Sequence, residues 1–114
     1  KRIKRDTTSS NCKQLKEDLS KIQLQIGVLQ QNIKYVTSTL ETLNLKIAEF
    51  ESKVLTSTGG LKTMNENLME TYQSIAKSTN VKLTSLKNQL STSLLNENQI
   101  KTDIQTLCFT PTSK

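Results

Sequence analysis

The chain contains no histidine and no tryptophan, and aromatic residues make up only 4% of its 114 residues. Histidine is the usual general base near neutral pH, so the commonest catalytic side chain is missing. No glycine-rich phosphate-binding loop occurs, and the carboxylates are scattered along stretches that also carry lysine. We therefore predict that the protein is not an enzyme and takes no cofactor and no small-molecule substrate.

Long apolar runs are also missing, and none approaches the roughly eighteen residues that a membrane-spanning helix requires. We expect no membrane span. The sequence has no Cys-x-x-Cys motif and no clustered carboxylates, which excludes a credible metal site. An apolar content of 33% is low for a compact globule, but it is enough for the narrow seam of a coiled coil.

Such a seam dominates the first half of the chain. Between residues 12 and 54, steps of three and then four residues always reach an apolar side chain. This spacing predicts one long helix whose apolar stripe packs against another helix. The seam positions are Cys12, Leu15, Leu19, Ile22, Ile26, Leu29, Ile33, Val36, Leu40, Leu43, Ile47, Phe50 and Val54.

Residues 57–60, Ser-Thr-Gly-Gly, end this pattern and predict a tight connection, because glycine adopts positive φ angles readily. Beyond them the apolar spacing resumes with extra four-residue steps, which predict stutters that relax the supercoil. We expect this second seam to contain Leu61, Met64, Leu68, Tyr72, Ile75, Thr79, Leu83, Leu86 and Leu90, and then Ser93, Glu97, Ile100, Ile104 and Leu107.

The fold class that follows is all-α, a long antiparallel helical hairpin that forms a coiled coil. Folding at the glycines pairs the two seams over nearly their whole length. The pairs are Leu15 with Ile104, Leu19 with Ile100, Leu29 with Leu90, Ile33 with Leu86, Val36 with Leu83 and Ile47 with Tyr72. Ile22 then faces Glu97 and Ile26 faces Ser93, so we expect Glu97 to turn toward water and the seam to open there.

Cys12 and Cys108 lie at nearly equal distances from the glycine turn and therefore meet at the open end of the hairpin. We predict a disulfide between them, which indicates a secreted or otherwise oxidising location. Two buried free thiols in a cytosolic coil are the alternative.

Both predicted arms contain a poor helix interior at the same level, residues 37–39 and 78–80. A kink is one reading. The other is that both arms break there and fold back into a four-helix arrangement, which the sequence leaves open.

We divide the chain into a basic flexible tail (1–11), a single hairpin domain (12–108) and a C-terminal tail (109–114), with the first helix beginning between Ser9 and Cys12. The basic residues Lys1, Arg2, Lys4 and Arg5 serve either as a solubilising end or as contacts for an anionic partner. Because the basic residues are terminal rather than aligned along the coil, we expect no nucleic-acid binding.

Apolar side chains also occur off the first seam. Leu24, Val28, Tyr35 and Leu45 occupy outward positions, and Leu24 with Val28 is spaced i, i+4. Such residues indicate a partner or self-association surface, a further packed helix, or isolated exposed side chains. Leu24, Val28 and Tyr35 are our candidate partner-binding residues.

With its small size, positive charge, helical pattern and stapled arms, the whole chain resembles the albicin and anophensin family of anopheline mosquito salivary proteins. The resemblance implies a secreted inhibitor that binds host plasma proteins during blood feeding. Its target is then the convertase of the alternative complement pathway, or the contact system and kallikrein. The rival class is a structural coiled-coil segment, such as a viral stalk released at residues 2–5. We expect a monomer for the inhibitor, with self-association possible, and an obligate trimer for the stalk.

Overall fold

The computed structural model describes residues 2–109 of the chain, with side chains described for residues 10–108. Helix α1 is Arg2–Thr56 and helix α2 is Gly59–Ile104, and a π-helical turn, Gln105–Phe109, follows α2. The two helices form the predicted all-α antiparallel hairpin, and a disulfide joins Cys12 to Cys108 with a Cα–Cα distance of 5.6 Å. That distance is typical of a disulfide.

The first helix begins earlier than predicted. We expected it to begin between Ser9 and Cys12, but α1 begins at Arg2. Residues 1–11 contain neither glycine nor proline, so a helix that the seam stabilises downstream extends backward at little cost. Most of the predicted C-terminal tail, 110–114, lies outside the described residues.

The connection between the helices is only two residues long, Ser57 and Thr58. Gly59 has a φ of 63°, the left-handed conformation that the predicted turn required of a glycine. The Thr56 hydroxyl donates a 3.2 Å hydrogen bond to the carbonyl oxygen of Ser52, and the Ser57 hydroxyl donates one to that of Lys53. The bond from Ser57 serves the Lys53 carbonyl, one of the last four of α1, which the end of a helix leaves without an intrahelical partner.

The chain forms two compact units, one of Lys1–Gln30 with Asn88–Lys114 and the other of Gln31–Lys87. Within unit 1, every predicted seam residue from Cys12 to Leu29 is buried or half-buried. On α2, Leu90, Ser93, Glu97, Ile100 and Ile104 are likewise covered. The predicted seam of unit 1 is therefore confirmed at these positions. Leu107, the last predicted member, is exposed instead, because it lies in the π-helical turn after α2, where the α-helical spacing ends.

In unit 2, the α1 seam is confirmed from Ile33 to Val54, but the α2 seam near the turn is not the predicted one. The covered positions are Asn65, Met69, Tyr72, Ala76, Thr79, Leu83 and Leu86, which keep an unbroken four-three spacing. Leu61, Met64, Leu68 and Ile75 are exposed instead. The predicted stutters are wrong, because the heptads of α2 continue backward from Leu83 in phase with the unbroken heptads of α1.

Two contacts of α2 fix this phase close to the turn, one made by Tyr72 and the other by Asn65. The rings of Phe50 and Tyr72 stack with their centroids 5.5 Å apart and their planes at 18°. Lys53 places its Nζ 4.9 Å from the Phe50 centroid. Buried Asn65 donates a 2.9 Å hydrogen bond from Nδ2 to the Ser57 hydroxyl. We predicted that Tyr72 pairs with Ile47. The Tyr72 ring instead stacks on Phe50, which lies one seam position nearer the turn.

The poor helix interiors do not interrupt either arm. Helix α1 continues through residues 37–39 and α2 through 78–80, so the alternative of arms that fold back into four helices is wrong. The Thr39 hydroxyl donates to the carbonyl oxygen of Tyr35 at 3.0 Å, and Thr84 does the same to Asn80. Threonine hydroxyls here bond within the helix and leave its own ladder in place.

We predict that Leu29→Ala lowers the free energy of unfolding by about 2 to 3 kcal/mol, because Leu29 is buried in the seam of unit 1. Leu24→Ala makes the same chemical change on the same helix at an exposed position, and it should cost within about 0.5 kcal/mol. Urea denaturation followed by circular dichroism measures both. Equal losses at the two sites would mean that the seam is misassigned.

Candidate binding surfaces

The outward face of α1 in unit 1 carries the apolar pair predicted to bind a partner. Leu24 is 73% exposed and Val28 58% exposed. Because they lie four residues apart, they are neighbours on the helix surface. The structure thus leaves both side chains available for contact, and their role in binding stays a prediction.

Gly27 extends this pair on the surface of α1. It lies three residues after Leu24 and next to Val28, and a Cβ added to it would meet nothing within 4 Å. Packing within the chain therefore does not explain a glycine that costs the helix about 1 kcal/mol relative to alanine. The glycine leaves the α1 backbone uncovered beside the two apolar side chains.

Tyr35, the third predicted residue, lies in unit 2 and is exposed. Leu45 and Leu55 are also exposed on α1 in that unit. The basic side chains of Lys1, Arg2, Lys4 and Arg5 lie outside the described side chains, so their predicted contact with an anionic partner stays a prediction.

Beside the seam of unit 1 runs a shallow groove of about 340 Å³. Ile22 and Ile100 line it, and Asp18, Lys21, Gln25, Asn96 and Gln99 supply polar groups. The Asp18 carboxylate accepts a 2.9 Å hydrogen bond from Gln14, and the Asp103 carboxylate accepts one from Gln99 at 2.9 Å. Both acids thus have partners within their own helix.

Glu97 corrects one prediction about this unit. We expected its carboxylate to turn toward water, but its side chain is only 16% exposed. Gln23 of α1 donates a hydrogen bond to it at 3.2 Å, and the Lys101 ammonium lies 3.7 Å away. An amide from the facing helix and a lysine one turn along α2 stabilise the charge at the edge of the seam, so the seam need not open.

Among the residues that the structure describes, no group of three or more His, Cys, Asp or Glu side chains could hold a metal ion. Neither helix contains, within residues 2–109, an apolar segment able to cross a bilayer.

The fold and its surfaces define a disulfide-closed helical hairpin with exposed apolar side chains. No family model, curated protein or solved structure matches this chain.

Proposed function

We propose that the protein is a secreted, extracellular, non-enzymatic binding protein that inhibits a host defence cascade, with the convertase of the alternative complement pathway as its target. The observation that carries the binding role is the pair Leu24 and Val28, exposed on a helix that is packed along its opposite face. Exposed apolar side chains on a rigid helix are suitable anchors for a protein interface, because they lose little conformational freedom on binding.

The disulfide supports an extracellular location, because such bonds persist in oxidising compartments. The resemblance to salivary inhibitors supports the choice of target. A net charge of +6 favours encounter with acidic surfaces and makes the association rate depend on salt.

We predict that Leu24→Gln combined with Val28→Gln weakens binding to purified alternative-pathway convertase by at least about tenfold, mainly through faster dissociation. Surface plasmon resonance at two ionic strengths measures the rates. Glutamine keeps helix propensity high, so circular dichroism should show unchanged helicity. Leu95→Gln, an exposed leucine on α2 of the same unit, is the matched control and should bind like the wild type.

Absence of wild-type binding would refute the convertase as target. Plasma kallikrein in a parallel flow cell would then identify the contact-system alternative. An obligate trimer in light scattering would instead favour the structural stalk.

A further inference from the structure

Four half-exposed apolar side chains of α2 form a stripe beside the seam in unit 2. This α2 stripe consists of Leu61, Met64, Leu68 and Ile75. Their spacings of three, four and seven residues place them on one helix face, and the exposed hydroxyl residues Thr71 and Ser78 continue it. A helix with an apolar seam and an apolar flank is typical of bundles in which it packs against two neighbours. Helix α1 supplies one of them.

We propose that the α2 stripe is a homodimer interface, on which α2 of a second copy packs antiparallel. The charge pattern favours a copy of the same chain over a highly charged partner. The positions that flank the stripe carry no charge. They are Asn65 and Tyr72 on one side and Asn67 and Ser74 on the other. Two stripes can therefore meet without like charges facing each other.

Charges at the rim are of both signs. By heptad position, Lys46 of α1 lies on the same side of the seam as Ile75, and its Nζ is 3.4 Å from the Glu49 carboxylate. Each copy thus brings an acid and a base to the edge of the interface. Charges of both signs at the rim favour self-association, because an acidic group of one copy can pair with a basic group of the other.

The stripe is also complementary to itself in shape. A twofold axis between Leu68 and Thr71 places Met64 of one copy on Ile75 of the other and Leu68 on Thr71, and each contact occurs twice. Small hydroxyl side chains opposite leucines allow the helices to approach closely. Four half-exposed apolar side chains per copy form a small interface, so we expect a dissociation constant in the micromolar range.

Sedimentation equilibrium from micromolar to millimolar concentration tests the proposal on the intact, oxidised chain. The wild type should show a monomer–dimer equilibrium. Leu68→Gln combined with Ile75→Gln should raise the dissociation constant by about a hundredfold, because the loss occurs in both copies. Leu45→Gln combined with Leu55→Gln, on exposed α1 positions off the stripe, is the matched control and should leave it unchanged.

A monomeric wild type at millimolar concentration would overturn the proposal, and so would equal loss in the control. Cross-linking provides a second readout. A mixture of M64C and I75C chains should form an intermolecular disulfide on mild oxidation, whereas neither variant alone should. Equal cross-linking of each variant alone would exclude the antiparallel pairing. The test of the dimer does not depend on the convertase proposal, because convertase binding is measured at concentrations where the chain is monomeric.

Discussion

Reduction of the Cys12–Cys108 disulfide is expected to lower the free energy of unfolding by about 4 kcal/mol. The bond joins residues 96 positions apart. In the chain-entropy model, a cross-link over a loop of that length removes about 4 to 5 kcal/mol of conformational freedom from the unfolded chain. The loss exceeds the roughly 2 to 3 kcal/mol expected for Leu29→Ala in the seam. Urea denaturation of the oxidised and reduced forms measures the difference.

The loss of stability on reduction should appear first in the parts of both helices that lie near the disulfide. Hydrogen exchange on the reduced form should show weaker protection in residues 12–26 and 93–108 of unit 1 than in residues near the turn, because the bond holds together the ends of both helices. A Cys12→Ser, Cys108→Ser double variant should match the reduced form. Equal protection in oxidised and reduced chains would contradict a stabilising role for the disulfide.

Much of this fold could be predicted because α1 has one unambiguous apolar stripe. From Cys12 to Val54, no polar residue occupies a seam position, so the phase of the helix has a single solution. The Gly-Gly turn and the mirrored positions of the two cysteines then determine the hairpin and its disulfide. These elements depend on local spacing, which sequence reasoning detects well.

Helix α2 near the turn was mispredicted because it offers two stripes offset by one residue. Met64, Leu68 and Ile75 are more apolar than Asn65, Met69 and Ala76, so hydrophobicity alone favours the wrong face. The phase is fixed by Leu83 and Leu86 farther along the helix. No local pattern indicates that Asn65 bonds to Ser57.

The exposure of Glu97 was also mispredicted, because one of its two partners lies on the other helix. Its ion pair with Lys101, one helical turn away, could have been anticipated from the spacing alone. The amide of Gln23 comes from the facing helix, and only the three-dimensional structure brings it to within 3.2 Å of the carboxylate. The exposed α1 residues could be predicted because they lie off an unambiguous seam, whereas the exposed residues of the α2 stripe are as apolar as seam residues and were mispredicted as part of the seam.

The second large effect is expected at Ala76, which is 8% exposed in the α2 seam. Ala76→Glu should lower the free energy of unfolding by about 3 to 4 kcal/mol, because it places a larger, charged side chain where the helices meet. Its neighbour Ile75 is 46% exposed. Ile75→Glu should cost within about 0.5 kcal/mol at concentrations where the chain is monomeric.

Comparison of these two adjacent variants by urea denaturation at low protein concentration tests most directly whether an unbroken heptad seam joins α2 to α1. The structure predicts a large loss for Ala76→Glu and almost none for Ile75→Glu. A larger loss for Ile75→Glu than for Ala76→Glu would mean that the stuttered seam is the correct one, and it would contradict the unbroken heptad seam of α2.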